Sequence, residues 1–164
     1  MKKILLLSDT HGYIDKTMLK YVQQADEIWH AGDIGDVQVT DTIKKYKPLR
    51  AVYGNIDGGE LRKEFPEQQI FEVEGVKVFM IHIGGYPGRY SPAARKVIQK
   101  EKPDLFISGH SHILKVMYDP QLQLLHMNPG AAGKKGFHKV RTMLRFQIEK
   151  GEIKNLEVIE FKRK

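Results

Sequence analysis

Short apolar runs alternate with amphipathic segments along the first third of the chain. Lys3 to Leu7, Glu27 to His30 and Leu49 to Tyr53 are apolar runs that predict strands. Between them, Ile14 to Gln24 and Val37 to Tyr46 carry apolar residues at helical spacing. The order strand, helix, strand, helix, strand predicts a parallel sheet with crossover helices.

The pattern changes after the third predicted strand, where pairs of apolar runs flank short polar turns. Three hairpins are predicted: Gln69 to Glu74 with Lys77 to Ile83, Lys115 to Asp119 with Leu122 to His126, and Arg141 to Glu149 with Glu152 to Phe161. A helix over Pro92 to Lys102 and a strand over Leu105 to Ser108 lie between the first two hairpins. Two sheets packed face to face, with helices outside, would bury all of these apolar faces.

Polar side chains and glycine follow almost every predicted strand. These loops are Asp9-Thr10-His11-Gly12, Gly32-Asp33, Gly54-Asn55-Ile56-Asp57, His82-Ile83-Gly84-Gly85 and Gly109-His110-Ser111-His112. Ligands bind at the carboxyl ends of strands in open α/β sheets, so we expect the loops to share one cleft. Each loop alone fits turn chemistry, because Asp and Asn bind local backbone. Five such loops in order, each after a predicted strand, are poorly explained as independent turns and favour a metal site made of oxygen and imidazole ligands.

Composition narrows the class of protein. The 164 residues predict one domain over residues 1–164, and 41% hydrophobic with 29% charged residues is globular rather than disordered composition. With no cysteine, the chain has no disulfide scaffold, thiolate metal site or thiol nucleophile, and it fits a reducing, cytoplasmic setting. The apolar run near the start is too short for a signal peptide, and no stretch is long enough to span a membrane.

The ordered loops resemble a known family. The series D-x-H, G-D, G-N-x-D, H, G-H-x-H, from Asp9 to His112, is similar to that of the calcineurin-like metallophosphoesterases. The segment Asn128-Pro129-Gly130 and the chain length resemble the small bacterial and archaeal phosphodiesterases of that family. The resemblance implies an α/β fold, a four-layer αββα sandwich of two mixed β-sheets flanked by helices. It also implies two divalent metal ions, with Mn²⁺ favoured and Fe²⁺ or Zn²⁺ also suited to the ligands.

The resemblance assigns ligands to both metals. The first metal would be held by Asp9, His11, Asp33 and His112, and the second by Asp33, Asn55, His82 and His110, with Asp33 bridging. The residues expected to carry catalysis are Asp9, Asp33, Asn55, His82, His110 and Asp57. For Asp57 the expected role is to orient a metal ligand, and the alternative is a turn carboxylate.

The implied reaction is hydrolysis of small or nucleotide-like phosphodiesters. Two metals sharing a hydroxide would provide a nucleophile near neutral pH and attract the charge that builds on phosphate oxygens. Many enzymes of the wider family have a histidine where this chain has Ile56, which cannot donate a proton to the leaving group. We therefore expect modest rates or substrates with good leaving groups. Arg89 is the candidate substrate-binding residue, and a solvated loop arginine is the alternative.

Two other functions stay open at this stage. The same fold serves as a protein-interaction scaffold, as in the retromer subunit that resembles these enzymes, and a large exposed apolar patch would favour that role. A nuclease would need a basic groove with aromatic platforms. The net charge of +7 does not by itself indicate such a groove, because lysines scattered over the surface explain it more simply. The expected partner is thus a small phosphodiester, with neither membrane nor nucleic acid favoured and a homo-oligomer left open.

Three further features receive ordinary structural interpretations. His30 is predicted to be a packed core residue and His126 a structural one. The basic run from Lys134 to Lys139 is predicted to be a solvated loop.

Overall fold

The computed structural model describes residues 1–163. Within them, the chain forms two five-stranded mixed sheets, one two-stranded ribbon and four helices. The helices are α1 (Lys16–Gln24), α2 (Val37–Lys44), α3 (Gly59–Glu64) and α4 (Pro92–Glu101). None of the helices in this part of the chain combines the length and apolar character that crossing a membrane requires.

The first sheet contains the parallel strands of the first third and the last hairpin. Its strands are β1 (Lys2–Leu7), β2 (Glu27–His30), β3 (Leu49–Ala51), β11 (Arg141–Glu149) and β12 (Glu152–Phe161). Their order is β12-β11-β1-β2-β3, with β1, β2 and β3 parallel. The β11–β12 hairpin joins the sheet antiparallel to β1. Because β1, β2 and β3 are parallel, their carboxyl ends lie at one edge of the sheet.

The second sheet contains the central part of the chain. Its strands are β4 (Gln68–Val73), β5 (Val76–Ile81), β8 (Leu105–Ile107), β9 (Leu114–Asp119) and β10 (Leu124–Pro129). Their order is β4-β5-β8-β10-β9, and β5, β8 and β10 are parallel. A separate ribbon pairs β6 (Gly85–Tyr86) with β7 (Arg89–Tyr90) directly after β5.

Alternation along β1 shows how the layers form. Leu5 and Leu7 pack with Met18 of α1 on one face of the first sheet. Ile4 and Leu6 point to the other face and join the core between the two sheets. On the far side of the second sheet, α4 buries its apolar stripe against a third cluster. The predicted αββα sandwich is confirmed.

Several element boundaries differ from the prediction. The third strand ends at Ala51 rather than Tyr53, while β10 extends from Leu124 to Pro129 instead of ending at His126. The helix α3 and the β6–β7 ribbon were not predicted. Both are too short to show a clear period: α3 has six residues, and each ribbon strand has two.

Candidate metal centre

Five loops meet at one end of the sandwich, each following the carboxyl end of a strand. They follow β1, β2 and β3 of the first sheet and β5 and β8 of the second. The loops carry all seven predicted ligands: Asp9, His11, Asp33, Asn55, His82, His110 and His112. The site therefore lies across the junction between the sheets, with contributions from both.

One group of side chains joins the first loop to the last. Potential ligand atoms of Asp9, His11 and His112 all lie within 4.8 Å of one another. His112 Nε2 is 3.2 Å from Asp9 Oδ1, and His11 Nε2 is 3.8 Å from the same oxygen. Three side chains thus direct one oxygen and two ring nitrogens toward a common point.

A second group contains Asp33, His82 and His110, whose potential ligand atoms also lie within 4.8 Å of one another. His82 Nε2 is 3.2 Å from Asp33 Oδ2, and His110 Nδ1 is 3.1 Å from Asn55 Oδ1. The structure therefore brings Asn55 beside this group, where its amide oxygen is a fourth potential ligand.

The two groups adjoin. Asp33 Oδ2 lies 3.6 Å from His11 Nε2 of the first group, and Asp9 Oδ1 lies 3.8 Å from His82 Nε2 of the second. Asp9 Oδ1, His11 Nε2 and His82 Nε2 are buried without a hydrogen-bond partner. Buried polar atoms are nearly always paired, so a cluster of unpaired ligand atoms fits divalent cations well.

Hydrogen bonds aim two of these ligands. His82 Nδ1 lies 2.7 Å from the carbonyl oxygen of Ala31, so its proton is donated there and Nε2 keeps a free lone pair. Asp9 Oδ2 accepts bonds from Ser8 Oγ at 2.7 Å and from the amide of His110 at 3.1 Å. Only Oδ1 of Asp9 is left to bind a metal.

The electrostatics of the cluster favour positive charge. Burial acts to raise the pKa of Asp9, but His11 and His112 beside it hold that pKa well below its usual range. Burial acts to lower the pKa of His82, yet the nearby Asp33 and Asp9 carboxylates raise it overall. The carboxylates thus stay ionised and attract a cation.

The backbone of the site is strained. Asp9, His11, Asp33, His110 and His112 have φ values of 54°, 46°, 55°, 73° and 63°. For residues other than glycine, this left-handed region costs free energy and persists only where surrounding contacts impose it. Five of the seven predicted ligands therefore hold a conformation that the fold has to enforce.

Asp57 holds two of the loops together through their backbones. Its carboxylate accepts hydrogen bonds from the amides of Gly54, Ile34 and Gly35 at 2.8, 3.1 and 2.8 Å. The sequence predicted that Asp57 orients a metal ligand, with a turn carboxylate as the alternative. Its hydrogen bonds in the structure go to backbone amides, so any effect on Asp33 and Asn55 is through the loops that carry them.

Asn128 has a comparable role at the last loop, which explains the Asn-Pro-Gly segment. Its Nδ2 donates to the carbonyl of Gly109 and to Ser111 Oγ, both at 3.1 Å, and its Oδ1 accepts from the amide of Gly130 at 3.0 Å. The segment is visible in the sequence, but nothing in the sequence indicates a role for Asn128. Its side chain fixes the loop between His110 and His112.

His30 is buried, as predicted, and also links two loops. Its Nε2 is 3.0 Å from Thr10 Oγ1, whose hydroxyl donates to the carbonyl of Ile34 at 2.8 Å. Its Nδ1 accepts from the amide of Gly32 at 3.1 Å. Burial lowers the pKa of His30 to about 4, so the ring is neutral with its proton on Nε2.

The basic loop is only partly the solvated segment that we predicted. Lys134, Lys135 and Phe137 are exposed, but the ring of His138 packs edge-on against His112 at 5.2 Å between centroids. A Cβ on Gly136 would lie 2.3 Å from His112 Nδ1. The loop therefore forms one wall of the first ligand group, and only a glycine fits at that point of contact.

Arg89 is exposed on β7 and lines a cavity beside His110. The structure thus places Arg89 on the wall of a cavity that His110 of the second ligand group also lines. His126, predicted to be structural, is buried and lines the same cavity.

Residues 1–151 match the calcineurin-like phosphoesterase superfamily domain. A probable metallophosphoesterase from Methanocaldococcus jannaschii is 30% identical over 132 residues, which cover 77% of this chain and 66% of that relative. The match thus spans just under two thirds of the relative's length.

Solved structures share the fold at lower identity. A Vps29 mutant from Entamoeba histolytica has a TM-score of 0.75 at 17% identity, covering 97% of this chain and 99% of that one. A novel archaeal phosphodiesterase has a TM-score of 0.71 at 21% identity, covering 97% and 99%. Because the domain match extends over most of the sequence and includes every loop of the metal centre, the chain belongs to the calcineurin-like phosphoesterase superfamily.

Proposed function

We propose that the protein is a phosphodiesterase that uses two divalent metal ions, with Mn²⁺ favoured by family resemblance, and acts on small or nucleotide-like phosphodiesters. The observation that carries the proposal is the pair of adjoining ligand groups. Each group contains a carboxylate that lies within 4 Å of a histidine of the other group. Nitrogen and oxygen donors alone suit Mn²⁺, Fe²⁺ and Zn²⁺.

The residues of the chain divide the work. Asp9, His11 and His112 would hold one ion and His82, His110 and Asn55 the other, with Asp33 between them. When bound, two such ions polarise phosphate oxygens and make water a nucleophile near neutral pH. Asp33 Oδ1 accepts from the amide of Ile56 at 3.0 Å, which leaves Oδ2 directed at both histidine groups.

The leaving group receives little help from the loop after β3. Ile56 is 47% exposed there and has no proton to donate. We therefore expect faster cleavage of esters whose leaving alcohol is acidic, such as 4-nitrophenol, than of alkyl esters.

The test is hydrolysis of bis(4-nitrophenyl) phosphate and of 4-nitrophenyl phosphate with Mn²⁺, Fe²⁺ or Zn²⁺. Asp9→Asn and His110→Asn keep side chains that tolerate positive φ, so they remove ligands with little added strain. We expect each to lower the diester rate by at least about 100-fold, beyond the effect of losing a supporting contact. Asp41→Ala, on the exposed face of α2, is the matched control. Faster cleavage of the monoester would contradict the diester assignment.

The exposed strand β9 favours a second function, a protein-interaction scaffold. β9 is an edge strand, and Ile113, Val116, Met117 and Tyr118 in and beside it are 62%, 39%, 44% and 57% exposed. Exposed apolar edge strands are sites of association. Metal binding without cleavage of either ester above the Asp9→Asn rate would favour this function.

Nuclease activity has less support. Trp29 is fully buried between the sheets and offers no stacking platform to a nucleic acid. Cytoplasmic location and self-association stay predictions.

A further inference from the structure

A cavity of about 260 Å³ lies beside the second ligand group. Its wall includes His110, Ser111, Tyr86, Arg89, Lys115 and His126. Among the described residues that line it, none is an aspartate or glutamate. We call this cavity the arm pocket, because a phosphodiester held at the metal centre would extend one of its two ester substituents past His110.

The wall that carries Arg89 is fixed by the second sheet. Ser108 Oγ donates to the carbonyl of Gly85 at 3.0 Å, and the amide of Ser91 donates to the carbonyl of Gly84 at 2.9 Å. At the other end of the ribbon, Tyr90 Oη donates to Asp119 Oδ2 at 2.6 Å. The ribbon is therefore held in place before any ligand binds, which reduces the entropic cost of binding.

Two positive side chains of the arm pocket have no negative partner. Within residues 1–163, neither Arg89 nor Lys115 has a carboxylate within 4 Å. Tyr86 adjoins both residues, since its backbone is in register with Arg89 across the ribbon and Lys115 Nζ lies 4.6 Å from its ring centroid. The pocket thus presents two unpaired cations and is suited to an anionic group.

His126 adds a buried acceptor to the pocket. The residue is 1% exposed, and its Nδ1 lies 3.1 Å from the carbonyl oxygen of Phe106. Its proton is therefore on Nδ1, and Nε2 is an acceptor that is buried without a partner. A buried acceptor without a donor is costly, and a hydroxyl group of a bound ligand would satisfy it.

We infer that the arm pocket binds the second ester substituent of the substrate, and that this substituent carries both an anionic group and a hydroxyl group. Sugar phosphates and glycerol phosphate belong to this class. Arg89 and Lys115 bind the anion, and His126 accepts a hydrogen bond from the hydroxyl. The inference rests on the proposed function, because it places the reacting phosphate at the metal centre.

Three chromogenic diesters test the inference. Each joins 4-nitrophenyl phosphate to the oxygen of a different alcohol: propan-1-ol, a primary hydroxyl of glycerol, or the C1 hydroxyl of glycerol 3-phosphate. All three release 4-nitrophenol, so their rates differ only through the second substituent. We expect kcat/KM with Mn²⁺ to rise from propyl to glyceryl, and to rise about tenfold more when the terminal phosphate is added.

Variants assign that increase to the pocket. Arg89→Met with Lys115→Met is expected to remove most of the increase from the terminal phosphate, so that the phosphorylated substrate falls to within about twofold of the glyceryl substrate in the same variant. Lys20→Met, an exposed lysine on α1, is the matched control. Equal kcat/KM for the three substrates, or an equal loss on all of them in the double variant, would overturn the inference.

A binding measurement separates this inference from the proposed function. In metal-free protein labelled with ¹⁵N, we expect inorganic phosphate to shift the amide signals of Gly85, Arg89, Ser111 and Lys115, and the double variant to abolish those shifts. If phosphate causes these shifts but no diester is cleaved, anion binding in the arm pocket is supported and the proposed phosphodiesterase activity is contradicted. If the diesters are cleaved without any preference among them and phosphate causes no shifts, the phosphodiesterase activity is supported and the inference about the arm pocket is contradicted.

Discussion

Substituting Gly136 tests whether the basic loop supports the first ligand group. A Cβ at position 136 would lie 2.3 Å from His112 Nδ1 and 2.7 Å from its Cε1. Favourable contacts between such atoms lie near 3.5 Å, so Gly136→Ala forces the imidazole or the loop to move by about 1 Å. Because His112 Nε2 is 3.2 Å from Asp9 Oδ1, that movement displaces a candidate ligand.

Two effects of different size are expected. An alanine at the positive φ of Gly136, +126°, costs the fold about 1–3 kcal/mol. For a domain of this length, that cost lowers Tm by roughly 2–12 °C. Displacement of a metal ligand lowers affinity about 10–100-fold, the range seen when a supporting contact is lost.

Titration of metal-free protein with Mn²⁺ by calorimetry, together with thermal unfolding, separates the two effects. Gly88→Ala is the matched control, because Gly88 also has a positive φ, +90°, but its Cβ would meet no atom within 4 Å. We expect both variants to lose stability and only Gly136→Ala to bind Mn²⁺ more weakly. Mn²⁺ affinity within twofold of wild type in Gly136→Ala, or the same loss in both variants, would refute the reasoning.

Three further predictions concern stability. Asp57→Ala should lower Tm by roughly 4 °C or more, because the buried amides of Gly54 and Ile34 lose their acceptor at about 1–3 kcal/mol each and the part-buried amide of Gly35 loses it too. An unchanged Tm would show that water replaces the carboxylate. Burial acts to raise the pKa of Glu27, but hydrogen bonds from Trp29 and Arg50 lower it overall. The ionised Glu27 carboxylate therefore stabilises the fold above about pH 4, and this contribution is lost as the pH falls through the lowered pKa. Urea unfolding should therefore show Glu27→Gln less stable than wild type at pH 7, with the difference shrinking below pH 4; a difference that is constant with pH would contradict this. Chelation of bound metal should lower Tm without changing the far-ultraviolet circular dichroism, since ligand at 100 times its Kd adds about 2.7 kcal/mol, and an unchanged Tm would argue against tight metal binding.

The layers of the fold could be predicted from the sequence because burial repeats at a regular spacing. Leu5 and Leu7 face α1 while Ile4 and Leu6 face the second sheet, and that alternation is visible in the residues themselves. The short elements could not be predicted in this way. The ribbon at Gly85 depends on a hydrogen bond from Ser108, which is distant in sequence, and on close packing against the backbone of Arg89. Neither contact produces a repeating pattern of hydrophobic residues.

The candidate ligands could be predicted because their loops follow strands, whereas the residues that position them could not. Asn128 lies 16 residues or more from the loop that it fixes, and its side chain meets Gly109 only after β8 and β10 pair. The contact of His138 with His112 likewise depends on a loop that returns from the second sheet. Such roles depend on tertiary packing, so the identity of the residue alone carries no signal for them.

The positive φ values of the candidate ligands have a consequence for how such a site is kept or lost. Each of the five strained residues would cost the backbone less if it were glycine, at roughly 1 kcal/mol apiece. Loss of a ligand by such a substitution would therefore relax the backbone locally, and at Asp9 or Asp33 it would also remove charge repulsion between the two buried carboxylates. If a chain of this fold did not need to bind metal, substitutions that remove the strained ligands could accumulate with little loss of folding stability. Keeping the strained residues as ligands therefore gives an advantage only to a chain in which cation binding offsets the strain that the fold imposes.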